Sequence, residues 1–225
     1  MTGTIVNAGA ILAGGLIGLA ARGRIPERIK TILMQALGLS TLIIGLKMAL
    51  SVQEVIPIVG SLLLGALTGE LLRIEDGLEK VGYWLQKRSR SNSSTFVSGF
   101  VTTSVLYCTG AMVIIGAIQD GTTGNATTLY VKAMLDGVAS IAFASTLGIG
   151  VLFSAASVFL VQGSITLLSS NLVFLQRPDI LGPITSTGGL LIIAIAINVL
   201  NIAKIRVGNL LPALVYAVMI AMIWR

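Results

Sequence analysis

The chain has 225 residues, 55% of them hydrophobic and 11% charged, with a formal net charge of +6 and a mean hydropathy of +0.95. A water-soluble domain carries about 25% charged residues, so a soluble globular fold is excluded. One cysteine excludes an intramolecular disulfide, and the lack of histidine excludes zinc sites and catalytic triads built on imidazole.

What charge there is gathers in clusters between apolar runs of about twenty residues, the length at which a helix crosses a bilayer core of about 30 Å. In lipid only helices and closed barrels satisfy their own backbone amides. Continuous blocks of Ala, Leu, Ile and Gly without alternation favour helices. The expected fold is all-α, a polytopic transmembrane bundle. A pI near 9.8 would suit a nucleic-acid partner, but the basic residues flank apolar runs, so the expected partner is the lipid bilayer and no nucleic acid.

In chain order, spans are expected at about 3–21, 29–50, 55–72, 96–118, 129–147, 150–171, 181–203 and 207–224. The first has Arg22 and Arg24 after its apolar core, the reverse of a signal peptide, and reads as a retained span. The fifth and sixth meet at STLGIGV, with no charge and no clear turn; a re-entrant pair there would reduce eight spans to seven or six. With eight, Arg22, Arg24, Arg28, Lys30, Arg73, Lys80, Lys87, Arg88, Arg90, Lys204 and Arg206 share one side, eleven of the fifteen Lys and Arg. Lys47, Lys132, Arg177 and Arg225 take the other. That asymmetry predicts cytoplasmic basic loops and both termini outside.

The chain divides into 1–73 with three spans, a polar connection at 74–95, 96–171 with three more, and two C-terminal spans in 172–225. In the connection, Ile74, Leu78, Val81 and Leu85 recur at helical spacing beside Trp84. This fits either an interfacial helix with its basic end on anionic lipid or a solvated linker helix. GAILAGGLIG (9–18) resembles GAMVIIGAIQ (110–119), and the same shift sets Gln35 opposite Asp136. Three spans before the connection then predict an inverted three-helix repeat. A competing match aligns LGLSTLIIG (37–45) with GGLLIIAIA (188–196).

The candidate functional residues lie inside these spans. Asp136 falls about seven residues into the fifth, so about 10 Å deep, where an ionised carboxylate costs about 3 kcal/mol. It must face other helices or a wet cavity. Lys132 is one turn earlier, and Lys before Asp is the weaker order for a helix pair. The pair is either a substrate, ion or proton site or a structural ion pair. In the fourth span, Ser104, Tyr107, Cys108 and Thr109 surround Gly110, where the helix can break; the group either lines a solute path or lets helices approach closely. Asp120 belongs to QDGTTGNATT, expected as a loop or a gate. Glu70 is expected to pair with Arg73. Asn7, Gln35, Gln162 and Asn198 are polar groups that each need a partner within the membrane. GLIGLAARG and TSTGGLLIIA read as close-packing faces.

Read together, IVNAGAILAGGLIG, RIPERI, LLGALTGE, YCTGAMVIIGAIQDGTTG, KAMLDG with FASTLGIGV, GGLLI and NLLPAL run over essentially the whole chain. On these stretches the chain resembles the YqgA/YdfK-like bacterial inner-membrane proteins, domain-of-unknown-function family 554. The resemblance implies a multi-pass bacterial inner-membrane protein and carries no catalytic residue across. It also implies that Asp136, Lys132, Glu70, Asn7 and the QDG turn belong to the family pattern. DGVASIAFASTLGIG is similar, over one or two spans, to lysine- and manganese-exporter type transporters. The expected function is a secondary transporter or channel for a small cationic solute. Asn7, Gln35, Tyr107, Cys108, Thr109, Asp120, Lys132 and Asp136 are its candidate binding residues, with no cofactor and the metal unassigned. The alternative is a non-transporting scaffold or sensor; an enzyme is not expected, for want of a nucleophile–base pair. Small residues along several spans make a homo-oligomer a reasonable expectation.

Overall fold

Residues 1–22, 26–51 and 54–223 are described by a computed structural model, and among them every regular element is helical. These are α1 (Thr2–Arg22), α2 (Glu27–Ala49), α3 (Val55–Leu72), α4 (Ile74–Arg88), α5 (Phe96–Cys108) and α6 (Ala111–Thr122). They continue with α7 (Thr127–Leu147), α8 (Gly150–Leu167), the single turn α9 (Ser169–Leu172), α10 (Pro178–Val199) and α11 (Pro212–Ile223). Arg24 and Arg225, counted above among the basic residues, lie outside the described residues.

The boundaries follow local chemistry. Pro178 and Pro212 open α10 and α11 at the first helical position, where a missing N–H costs nothing. Gly148, at a φ of 85°, ends α7, and α8 starts two residues later; this is the turn that STLGIGV did not announce. Gly110, at a φ of 119°, separates α5 from α6, which bend by 63°. The break expected at Gly110 is therefore present.

Five helices, α1, α2, α3, α8 and α10, are long and apolar enough to cross a membrane, with a sixth if the bent α5–α6 pair counts as one span. Each of the eight expected segments is helical. Beyond those six, α7 carries Lys132 and Asp136, which lower its hydropathy, and α11 is only 12 residues long.

Glycines decide which helices touch. A Cβ on Gly3, Gly14 or Gly18 of α1 would strike Leu129, Gly137 or Ile141, so α1 and α7 run parallel at close range. Gly45 of α2 meets Gly189 of α10, and Gly65 and Gly69 of α3 meet Ala213 and Asn209 beside α11. Both packing faces expected from the sequence are thus in use. Without a hydrophobic force between helices in lipid, such close van der Waals approach drives association. Each of the first three helices packs on a helix from much later in the chain.

The bundle has two distinct ends. At one, the Arg22 guanidinium donates to Thr95 Oγ1 (3.4 Å), which itself donates to the Leu147 carbonyl (2.6 Å). Beside it, α4 sits on Val97 and Phe100 through Gly82, leaving Val81, Tyr83 and Trp84 exposed. Most of the basic clusters gather here. At the other end, Met1 and Thr2 meet Asp120 at the close of α6, and Thr4 meets Thr166 at the close of α8.

Candidate functional site

Asp136 lies nine residues after Thr127, about 14 Å along α7, deeper than the sequence suggested because the helix starts earlier. Met134, Leu135 and Val138 form the exposed face of α7, while Lys132 and Asp136, 5% and 8% exposed, turn inward. On α1, Asn7 shares a buried stripe with Ile11, Gly14 and Gly18 at spacings of three and four. The glycines bring α1 against α7, and this delivers Asn7 to the carboxylate.

The Lys132 ammonium pairs with Asp136 Oδ2, and Asn7 Nδ2 donates to the same oxygen at 3.1 Å. Lys132 also lies 5.9 Å from the centre of the Tyr107 ring, at cation–π range, and the Tyr107 hydroxyl shares a 2.9 Å hydrogen bond with Ser140. From Asn7 the network continues into α8. Its Nδ2 donates to Gln162 Oε1 (3.0 Å), and Gln162 Nε2 donates to Thr4 Oγ1 (3.1 Å). Thr4 and Thr166 are joined at 3.3 Å, which carries the polar track toward the Met1 end. Asn7 Oδ1 is buried without a hydrogen-bond partner among the described residues. A buried acceptor left open beside a charged pair is costly in hydrocarbon.

The candidate residues therefore separate. Asn7, Tyr107, Lys132 and Asp136 converge. Cys108 is half-buried next to Tyr107, in the cluster that Ile11 and Val158 complete. Thr109 sits at the α5–α6 break, with its hydroxyl donating to the Val105 carbonyl of its own helix (2.9 Å). Gln35 is not at the site. The stripe α2 buries is Gly38, Thr41 and Gly45, and Gln35 lies exposed outside it. Asp120 is no flexible-loop acid: α6 extends to Thr122, and the buried carboxylate takes the Met1 ammonium (3.0 Å) and the Gly3 N–H (3.0 Å). It ties the start of α1 to the end of α6.

Two other expectations change. Glu70 reaches across to Arg206 Nη1 (2.8 Å) and Asn209 Nδ2 (2.6 Å), while Arg73 takes a left-handed conformation between α3 and α4. Asn198 finds its partner in the backbone of Ile205, bonding both its N–H and its carbonyl. Gln162 was visible as a polar residue in a span but not as a neighbour of Asp136; Thr4, Ser140 and Thr166 were not singled out. The available signal was spacing, since Thr4 with Asn7 and Gln162 with Thr166 repeat at three and four residues. Among the described residues no group of three or more Cys, Asp or Glu could hold a metal ion.

A bundle of apolar helices around a buried ion pair and a polar track defines a polytopic helical membrane protein. The chain belongs to the family described as "Protein of unknown function (DUF554)", which matches residues 2–222. It is 33% identical over 221 residues to the "Uncharacterized membrane protein YdfK" of Bacillus subtilis, covering 95% of this chain and 93% of that one. It is 30% identical over 227 residues to the "Uncharacterized protein YqgA" of Escherichia coli, covering 99% and 97%. No solved structure matches it.

Proposed function

We propose that this membrane protein moves a small cationic solute across the bilayer, with Asp136 as the charged site and Lys132 as the counter-charge that the solute displaces. One observation carries the reading: the buried Lys132–Asp136 pair lies at mid-helix, and Tyr107 beneath the ammonium is three residues before a helix break. Ionisable groups inside a membrane mark solute and proton pathways by default, and discontinuous helices supply the backbone groups that such sites use. Asn7 Oδ1 is an open acceptor at the same place.

The proposal includes eight spans in the bacterial inner membrane, with the basic end cytoplasmic and both termini outside. It also includes an inverted repeat, supported by α1 and the α5–α6 pair running in opposite directions between the two ends.

The test is current across proteoliposomes on jumps of sodium, potassium or ethylammonium. A current with the parent protein that disappears when Asp136→Asn and Lys132→Met are combined, which removes both buried charges together, supports the reading. No current with any of these cations, or an unchanged current in the variant, rejects it. A second reading, a non-transporting scaffold, draws on the same pair being closed on itself: Asp136 already holds Lys132 and Asn7. There, Asp136→Asn lowers the melting temperature and alters no ion movement.

A further inference from the structure

A second polar space lies at the basic end, away from the Asp136 network. It is a cavity of about 540 Å³ between α4, α5, α10 and the stretch that comes after α10. Its wall from α4 presents Glu75 and Glu79, one helical turn apart on the side that faces the protein. Like charges at this spacing destabilise a helix, and an amphipathic helix on a bundle would ordinarily turn such groups outward. The opposite wall from α5 supplies neutral acceptors, Ser98 and Thr102, while Asn198 of α10 is occupied by the Ile205 backbone; Lys204 is the one cation among the lining residues. The floor is Val105 and Ile195. Val105 is one turn before the Thr109–Gly110 break, and Tyr107, under the Lys132 ammonium, lies between them.

The geometry points to an entry chamber for a small organic cation at this cavity, with Glu75 and Glu79 as the groups that attract it. The inference rests on the transport reading and adds to it a size class and a second binding region. The space is far larger than a bare metal ion needs, and it suits a molecule carrying an ammonium group alongside hydroxyl or amide donors. Glu75 is already fixed in place. Its carboxylate accepts the Gly208 N–H, and its own N–H donates to Asn209 Oδ1 at 2.7 Å. Burial pushes the Glu75 carboxyl above the ordinary glutamate range, and the Gly208 N–H only partly offsets this. A positive guest would relieve that desolvation and the repulsion from Glu79 together.

The test needs no knowledge of the natural solute. Thr102→Cys puts a thiol inside the chamber, where it can be labelled with a trimethylammonium-ethyl or a sulfonatoethyl methanethiosulfonate. Each rate is taken relative to the same reagent with a simple thiol in solution. Peptide masses score Cys108 separately. Focusing by the two carboxylates should make the cationic reagent react about tenfold faster, and the added changes Glu75→Gln and Glu79→Gln should bring the ratio toward one. Ser98→Cys, nearer the mouth, carries the same test if Thr102→Cys does not fold. Equal rates, a faster anionic reagent or an unreactive thiol would overturn the chamber. Selective labelling without any current sinks the transport reading alone; current without selective labelling sinks the chamber alone.

Discussion

Two seams of this bundle bury polar groups by opposite means. Where α1 meets α7 and α8, glycines let backbones touch, and the polar side chains between them are spent on one another: Lys132 on Asp136, Asn7 on Asp136 and Gln162, Gln162 on Thr4. Where α4 and α5 face α10, the helices stand apart around a cavity, and Glu75 and Glu79 share one wall of it. The tight seam holds charge by pairing it; the loose seam sets two like charges on one wall, with Glu75 held only by a neutral N–H from Gly208. Stability explains the first seam; at the second, Glu75 fastens α4 to Gly208 and Asn209, but a second carboxylate one turn away adds repulsion that stability does not call for.

The largest expected effect comes from prying the tight seam open. Gly14→Leu drives a side chain into the Gly137 carbonyl; backbone cannot swing aside as an overpacked side chain does, so α1 and α7 cannot close and the whole seam is lost. Loss of the monodisperse protein on gel filtration is expected, whereas Gly9→Leu, with open space around its Cβ position, should purify and melt like the parent.

Next is the ion pair. Lys132→Met strands a buried carboxylate, and breaking one side of such a pair costs about 3–5 kcal/mol. Thermal melts should fall steeply for that variant and recover most of the loss when Asp136→Asn is added. A double variant no more stable than Lys132→Met would mean that the two groups are not coupled.

The smallest effect sharpens the loose seam. Glu75 faces Glu79, Lys204 and Arg206, and its raised carboxyl takes up a proton at a higher pH than the usual glutamate value of about 4.3. Acidification therefore begins to remove the Glu75 charge above that value. The preference of Thr102→Cys for the cationic reagent should start to decline above that value, and a ratio flat down to it would show that Glu75 adds nothing to the field.

How much of this was legible in the sequence depends on how local each signal is. The helices were, because an apolar run of membrane length is a property of neighbouring residues. The break at Gly110 was, because small and hydroxylated residues cluster around it. Partners were not. Gln35 was expected to line the site, but the stripe of Gly38, Thr41 and Gly45 turns α2 another way and leaves it exposed. Glu70 was assigned the nearest basic residue in sequence, but the left-handed turn at Arg73 separates α3 from α4, and the carboxylate finds Arg206 and Asn209. Asp136 and Lys132 were identified together, since a charge within a span announces itself. Gln162 completes their network because α8 runs antiparallel beside α1, a relation that no stretch of the sequence contains.

The measurement that bears most directly on transport is the cation-driven current of the Lys132→Met, Asp136→Asn double variant, recorded with its melting temperature. With both charges gone the bundle should stand, so a lost current cannot be put down to structural damage. The account predicts a folded protein that melts near the parent temperature and passes no current. A folded double variant that conducts like the parent would contradict it.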